Sequence, residues 1–555
     1  MKCRFFLFPV SVCFFTFATA QTQVDGGLNS IQTYVSFLAD DAQEGRLTGT
    51  DGEHRSAQFI RDQFMQLGLK PFGSQDGLLP FSFTQKVKAK SSPDPMCALP
   101  GKFYAMSAQS YPVSGTGSGQ PMGNLIDMGF GISAPEHGHD DYAGKTNLQG
   151  KIALIDIGLP PLPHPHSPLA QYSSLIRRIR TAEQKGLSGV LFYRKDTLTE
   201  KPSQTLSPRV QTASIPAIFI DEDLSGQAGK PCRMEIQLQK TTGTGYNVAF
   251  FQDNGAKRTL VIGAHYDHVG WGEENSRYRG TEPAVHNGAD DNASGVAAML
   301  RVAQLLKQKP LRRLNILFIA FSGEELGLLG SSAFLENPNI HALQMRAMLN
   351  MDMVGRLEKE TKGLVINGVG TSPVFTSITD TLRLHGMLIK TTESGVGPSD
   401  HASFYHKGIP AVHFFTGTHA DYHMPSDDVG TLNLQGILEI ADYVAQMSYG
   451  LDRVDTIPFQ KTKEPEQTRM SAKVSLGVVP DYAWEGKGMK ISGVTEGKPA
   501  AMAGLTGGDI LLAIDDVQIS DIYGYMNVLG KYTKGQTSTL RFKRQEEEKE
   551  VKITW

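Results

Sequence analysis

Between Tyr246 and Leu451 the chain alternates short apolar runs rich in β-branched residues with longer stretches of helical spacing. That alternation predicts an α/β domain with a largely parallel central sheet flanked by helices. The expected strands are Leu260 to Ala264, Leu314 to Phe321, Ala347 to Met351, Leu364 to Ile366 and Ala411 to Phe415, with a helix over Gly295 to Gln308. A run as continuously apolar as Ile316 to Phe321 suits a strand covered on both faces.

Three of these strands run into acidic or imidazole side chains: the first into His265-Tyr266-Asp267, the second into Glu324-Glu325, and the third into Asp352. In an open α/β sheet the carboxyl ends of the strands form the ligand crevice, so these side chains are expected to converge. Asp290-Asp291, just before the helix at Gly295, and His423 join them from loops. Crowded carboxylates repel one another and are costly to desolvate, so such a set is stable only when cations neutralise it. Mixed imidazole and carboxylate donors suit zinc, and cobalt or manganese fit the same donors. A shared carboxylate makes a two-metal site. On this reading His265 and Asp352 hold one Zn2+ ion, Glu325 and His423 hold the other, and Asp291 bridges both. Asp267 stands two positions after His265, so on an extended chain its carboxylate accepts the second imidazole N–H. Glu324 is expected to take a proton from the attacking water and pass it to the leaving amine.

The segments His265-Tyr-Asp-His-Val-Gly270, Gly288-Ala-Asp-Asp-Asn-Ala-Ser-Gly295, Ser322-Gly-Glu-Glu-Leu-Gly-Leu-Leu-Gly330, Asn350-Met-Asp352 and Tyr422-His423-x-Pro425-x-Asp427 resemble the di-zinc exopeptidases of the bacterial leucyl aminopeptidase and glutamate carboxypeptidase type. The resemblance covers the helical N-terminal segment and Tyr246 to Leu451. It implies that Asp291 rather than Asp290 is the bridge, that every ligand position is intact, and that Glu324 is the catalytic glutamate. The implied activity is removal of N-terminal residues from peptide substrates. A carboxypeptidase or a glutaminyl cyclase on the same scaffold is the alternative, as is a non-catalytic, receptor-like peptide-binding protein. Chain order contains no Gly-x-Ser-x-Gly and no His-Glu-x-x-His, which disfavours a serine-hydrolase elbow and a single-zinc helical protease.

The remaining text divides into modules. Near the N-terminus, Ile31, Tyr34, Val35 and Leu38, then Phe59, Ile60, Phe64 and Leu67, carry helical spacing. Residues 95–243 change to Gly- and Pro-punctuated short strands, with one helical pattern from Leu169 to Lys185. This β-rich inserted domain resembles the protease-associated domain through Leu148-Gln-Gly-Lys-Ile-Ala-Leu-Ile155 and Ala182-x-x-x-Gly186-x-x-Gly189. Polar text over 452–471 reads as a linker. Residues 472–555 read as a small β-rich domain and resemble a PDZ domain, in which Ser475-Leu-Gly-Val478 would receive a peptide C-terminus and the peptide would lie in the groove by strand addition. The expected peptidase domain is thus 21–94 together with 244–451.

Lys2 and Arg4 precede an uncharged, mostly apolar stretch from Phe5 to Ala20, closed by Ala18, Thr19 and Ala20. This reads as a signal peptide over 1–20, so the product is expected to be periplasmic or secreted, with no membrane association after its removal. Of four cysteines, Cys97 and Cys232 remain in the mature chain, and either a disulfide between them or two unpaired thiols fits. With 54 Lys and Arg against 57 Asp and Glu, the net charge of -3 leaves no excess with which to neutralise a phosphate backbone, so nucleic-acid binding is not expected. His137-Gly-His139-Asp140 and His164-Pro-His166 lie in turn-rich text and read as solvated loops. His268, His286, His401 and His419 stand near the motifs and receive no role.

Overall fold

The computed structural model describes residues 15–90, 95–160, 169, 172, 174–196, 199–272, 275–463, 474–480, 487–494, 497–519, 525, 528–529, 532 and 535–555. The leader expected over 1–20 lies outside them as far as residue 14, as does the expected linker from residue 464 to 471. None of the described helices is long and apolar enough to cross a membrane. The chain forms two units: residues 1–81 with 245–465, and residues 82–244 with 466–555.

The strands β1 (Leu238–Gln252, in the first unit from residue 245), β2 (Arg258–His265), β3 (Leu314–Phe321), β4 (Met345–Met351), β5 (Gly363–Asn367), β6 (Leu388–Thr392) and β7 (Ala411–Phe415) form one sheet. From Lys70–Pro71 at one edge the order is β1, β3, β2, β4, β7, β5, β6, with Leu78–Ala89 paired to β1 outside that path. Strands β3, β2, β4 and β7 run parallel, while β1 opposes β3 and β5 opposes β7. The sheet is therefore parallel at its centre and mixed toward its edges, and β2, flanked by β3 and β4, sits where the chain switches direction across it.

Alternation in β2 and β3 explains their continuous hydrophobicity. Leu260, Ile262, Ala264, Ile316, Phe318 and Ala320 face one core, packed with residues of α1 (Phe15–Leu38), α2 (Asp51–Gln66), α3 (Gly295–Gln308) and α4 (Leu434–Asp452). Val261, Leu317, Ile319 and Phe321 face a second core with Phe334, Leu343, Met348 and Phe404. Both faces are dry, so neither tolerates the polar alternation of a half-exposed strand. The expected N-terminal helices are α1 and α2, and Ile31, Val35, Leu38, Ile60 and Phe64 are fully buried.

Among the described residues the second unit contains a two-stranded sheet, Ser133–Ala134 with His139–Asp140, and two larger sheets. One has eight strands in the order Lys102–Tyr104, Cys97–Leu99, Pro231–Met234, Met122–Asp127, Ile152–Asp156, Gly189–Tyr193, Ala217–Ile220, Ser110–Pro112. Its helix, Leu175–Gln184, puts Ile179 and Ala182 into the core on one face, and Cys97 and Cys232 lie in the core on the other, as free thiols whose sulfurs share a hydrogen bond at 3.8 Å. In the other sheet, Val478–Pro480 forms an edge beside Met489–Val494, followed by Ile510–Ile514, Thr537–Arg544 and Glu547–Thr554.

Candidate metal centre

Because β2, β3 and β4 are parallel neighbours, their carboxyl ends deliver His265, Glu324-Glu325 and Asp352 to one rim of the sheet. The loop after β7 brings His423 to the same place. Asp291 arrives on the turn before α3, where the turn leaves space only for glycines: a Cβ at Gly295 would stand 2.3 Å from Asn292 Oδ1, and one at Gly288, whose φ is +53°, would stand 2.5 Å from the His268 ring. Asn292 ties that turn to two strand ends, donating to His265 O at 3.2 Å and Met351 O at 3.0 Å.

The two oxygens of Asp291 face different histidines. Oδ1 lies 3.4 Å from His265 Nε2, which is also 3.2 Å from Asp352 Oδ1. Oδ2 lies 3.2 Å from His423 Nε2, itself 3.1 Å from Glu325 Oε1. Donors bonded at about 2.0–2.1 Å to one tetrahedral ion stand about 3.3 Å apart, so these separations are those of two donor sets sharing a carboxylate. His423 Nε2, though buried and close to two carboxylates, has no hydrogen-bond partner, an arrangement that suits a lone pair aimed at a cation. Two groups of donor atoms, each within 4.8 Å of one another, can hold an ion: His268, Asp291, Glu325 and His423, and His265, Glu324 and Asp352. The donor chemistry fits divalent metal.

The imidazoles and carboxylates of the cluster shift one another's pKa values. Burial pulls the pKa of His423 down, and Asp291 and Glu325 reverse this and raise it to about 11. Burial pushes the Asp291 carboxyl up, and its contacts with His265 and His423 hold it well below the usual carboxylate range. Glu324 moves the opposite way: burial first, then Glu325, Asp352 and Asp400, raise it well above the ordinary glutamate value against the pull of His265.

One expected contact differs. His265 Nδ1 is 3.2 Å from the main-chain oxygen of Asp267 and 3.7 Å from its carboxylate. The carboxylate instead accepts from the main-chain N–H groups of Glu324 at 3.2 Å and Glu325 at 3.4 Å, and from the Thr48 hydroxyl at 3.0 Å. Strand β2 ends at His265, so the two-residue alternation does not continue to Asp267. Asp290 faces away from the donors, accepting from Gly355 N at 2.6 Å and lying 3.1 Å from His419 Nε2.

Arg46 carries no readable sign in the sequence, whereas Tyr422 and Asp427 stand in the motif around His423 with no role assigned there. Arg46, fully buried, donates to the carbonyls of Tyr266, Leu38, Asn287 and Gly288. Burial lowers its pKa to about 10 against the raising effect of Asp291, Asp267, Asp427 and Glu325. Asp427 accepts from the main chain of Asp290 and Asp291, and the Tyr422 ring stacks on His423 with centroids 3.9 Å apart. Of the unassigned histidines, His286 braces a loop through Ser276 at 2.7 Å, His401 stacks on His413, and His268 enters the cluster. In the inserted module His139 pairs with Asp141, while His164 and His166 lie outside the described residues.

The model of peptidase family M28 matches residues 247–448, and that of the PDZ domain matches residues 461–554. Residues 247–448 are a peptidase family M28 domain. The M28 domain contains every strand end and loop that carries the five donors, and the PDZ domain contains the sheet with the open Val478–Pro480 edge. The chain is 26% identical over 344 residues to the aminopeptidase YwaD of Bacillus subtilis strain 168, covering 60% of this chain and 68% of that protein. It is 26% identical over 371 residues to a probable leucine aminopeptidase of Arthroderma otae, covering 61% and 94%. An aminopeptidase structure from Aneurinibacillus sp. strain AM-1 superposes with a TM-score of 0.48 at 21% identity, over 80% of this chain and 98% of that one.

Proposed function

We propose that this protein is an exported, zinc-dependent aminopeptidase that removes N-terminal residues from peptides at a two-ion centre. The carrying observation is that the Asp291 oxygens face separate histidines, Oδ1 at 3.4 Å from His265 and Oδ2 at 3.2 Å from His423. His265, Asp352 and Asp291 would hold one ion, and Asp291, Glu325 and His423 the other. Zinc held there supplies Lewis acidity for the scissile carbonyl and lowers the pKa of water. Glu324 has its carboxyl beside His265 and Asp352, and its raised pKa suits a group that accepts a proton from the attacking water and returns it to the departing amine. His265 is turned toward the donors by its Nδ1–H contact with Asp267 O, and His423 by donating Nδ1–H to Asn275 O at 2.9 Å. Asp267 fixes the main chain at Glu324 and Glu325. The aminopeptidase names of the relatives support the same reading.

The inserted module is read as a protease-associated domain. The PDZ groove is read as a site for a peptide C-terminus, supported by the edge position of Val478–Pro480 and by the Ser475–Gly477 turn, in which Gly477 N donates to Ser475 Oγ at 3.1 Å. Export rests on the leader pattern, and N-terminal sequencing of the protein recovered outside the cytoplasm tests it. For the chemistry, the test is a zinc count on the purified chain together with a peptide panel followed by mass. Two ions per chain and loss of the first residue are expected. Loss of the last residue, cyclisation of an N-terminal glutamine, or no turnover with both ions bound would each replace the aminopeptidase reading.

A further inference from the structure

His268 stands three residues after His265 and its side chain is fully buried. Its Nδ1 lies 3.0 Å from Glu325 Oε1, with hydrogen-bonding geometry, and 3.7 Å from Asp291 Oδ2. Its ring meets that of His423 edge-on at 5.5 Å. Three histidines thus border the cluster, and two of them share a feature that the third lacks. His265 and His423 each direct Nε2 at the carboxylates and satisfy Nδ1–H with a main-chain carbonyl, of Asp267 and Asn275 respectively. His268 directs Nδ1 at Glu325, and its Nε2 is buried with no partner.

That difference decides its role. An imidazole that gives one nitrogen to a metal carries its proton on the other, and that N–H nearly always finds an acceptor. For His268 a metal bond through Nδ1 would leave an Nε2–H buried without one, a rare and costly state. An ionised carboxylate only accepts hydrogen bonds, so a contact of 3.0 Å between Nδ1 and Glu325 Oε1 places the proton on Nδ1. Nε2 is then a bare acceptor. The position is crowded on the far side as well, because Gly288 is the one residue type that clears the ring there.

We infer that His268 is a positioning residue that donates Nδ1–H to Glu325, holds that carboxylate toward His423, and so strengthens zinc binding at the Glu325–His423 site alone. The inference rests on the two-ion reading. It makes the two ions inequivalent, because the hydrogen bond of His268 goes to Glu325, a donor of one ion only.

The test is zinc affinity, measured by chelator competition on the full chain for the wild type, His268→Ala and His268→Asn. Asparagine places an N–H donor where the histidine has Nδ1. In His268→Ala one of two zinc ions is expected to bind about ten- to a hundredfold more weakly, the usual cost of losing such a partner, with the other unchanged. His268→Asn is expected to restore the weakened site to within about threefold of wild type, since the hydrogen bond is retained. Unchanged affinities in His268→Ala overturn the proposal. So does a His268→Asn protein as weak as His268→Ala, because that result makes His268 a metal ligand. A wild-type stoichiometry other than two overturns the two-ion reading and this inference with it, and is seen before any variant is compared.

Discussion

Glu53 offers the sharpest physical test, because its charge state is tied to the strand end that carries His265. It is fully buried in α2, and its Oε1 lies 2.6 Å from the Tyr266 hydroxyl and accepts from Tyr246 N at 2.9 Å. The same hydroxyl is 2.6 Å from the Tyr246 carbonyl. A phenol has one proton to donate, so with Tyr266 donating to the carbonyl, the short contact to Glu53 needs a proton on the carboxyl. Burial accordingly raises the Glu53 pKa from 4.5 to about 7. At about 1.36 kcal/mol per pH unit, this displacement is worth about 3 kcal/mol. Its sign follows from proton uptake: between pH 4.5 and about 7 the folded state binds more protons than the unfolded chain, so this contribution is complete below that window and is lost as pH rises through it. Glu53→Gln keeps a donor and an acceptor and removes the charge. Relative to wild type it is expected to be nearly neutral near pH 4.5 and to gain up to about 3 kcal/mol at pH 8. Thermal unfolding and hydrogen exchange in the segments 51–66 and 258–266, followed across pH, measure this. A variant whose pH dependence parallels the wild type, or one destabilised at pH 8, would refute the protonated-carboxyl reading.

Glu324→Gln is expected to keep zinc content near wild type while peptide hydrolysis falls about 10²- to 10⁴-fold, checked by metal analysis beside a steady-state assay. Asp291→Asn removes the one carboxylate that faces both histidines, so both ions should weaken together, in contrast to the single-site loss expected at His268. Arg46→Met strands four buried carbonyls and is expected to destabilise the first unit by about 3–5 kcal/mol, read by calorimetry.

The fold of the M28 domain was largely legible because its central strands are covered on both faces, and unbroken apolar runs such as Leu314–Phe321 have few other uses. Strand β6 was not foreseen: Leu388–Thr392 is an edge strand, mostly exposed, whose sequence carries no burial pattern. The long pairing of Leu78–Ala89 with β1 was also unread, since it precedes the change in composition near Pro95 that suggested a boundary. At the centre, the donor residues were legible because charged side chains at the ends of apolar strands are costly without a task.

By itself the sequence determined the strand and helix periodicities, and with them a parallel sheet whose carboxyl ends carry two histidines and several carboxylates. Those properties are local, written in spacings of two and of three to four residues. Only the tertiary structure decided that Asp267 braces Glu324 and Glu325 rather than orienting His265 through its carboxylate, that Arg46 ties loops more than two hundred residues away in the chain, and that His268 reaches Glu325. Each depends on where a strand stops and on which distant backbone atoms then lie within hydrogen-bonding range. Such distances are set by packing across the whole sheet, and no local spacing encodes them.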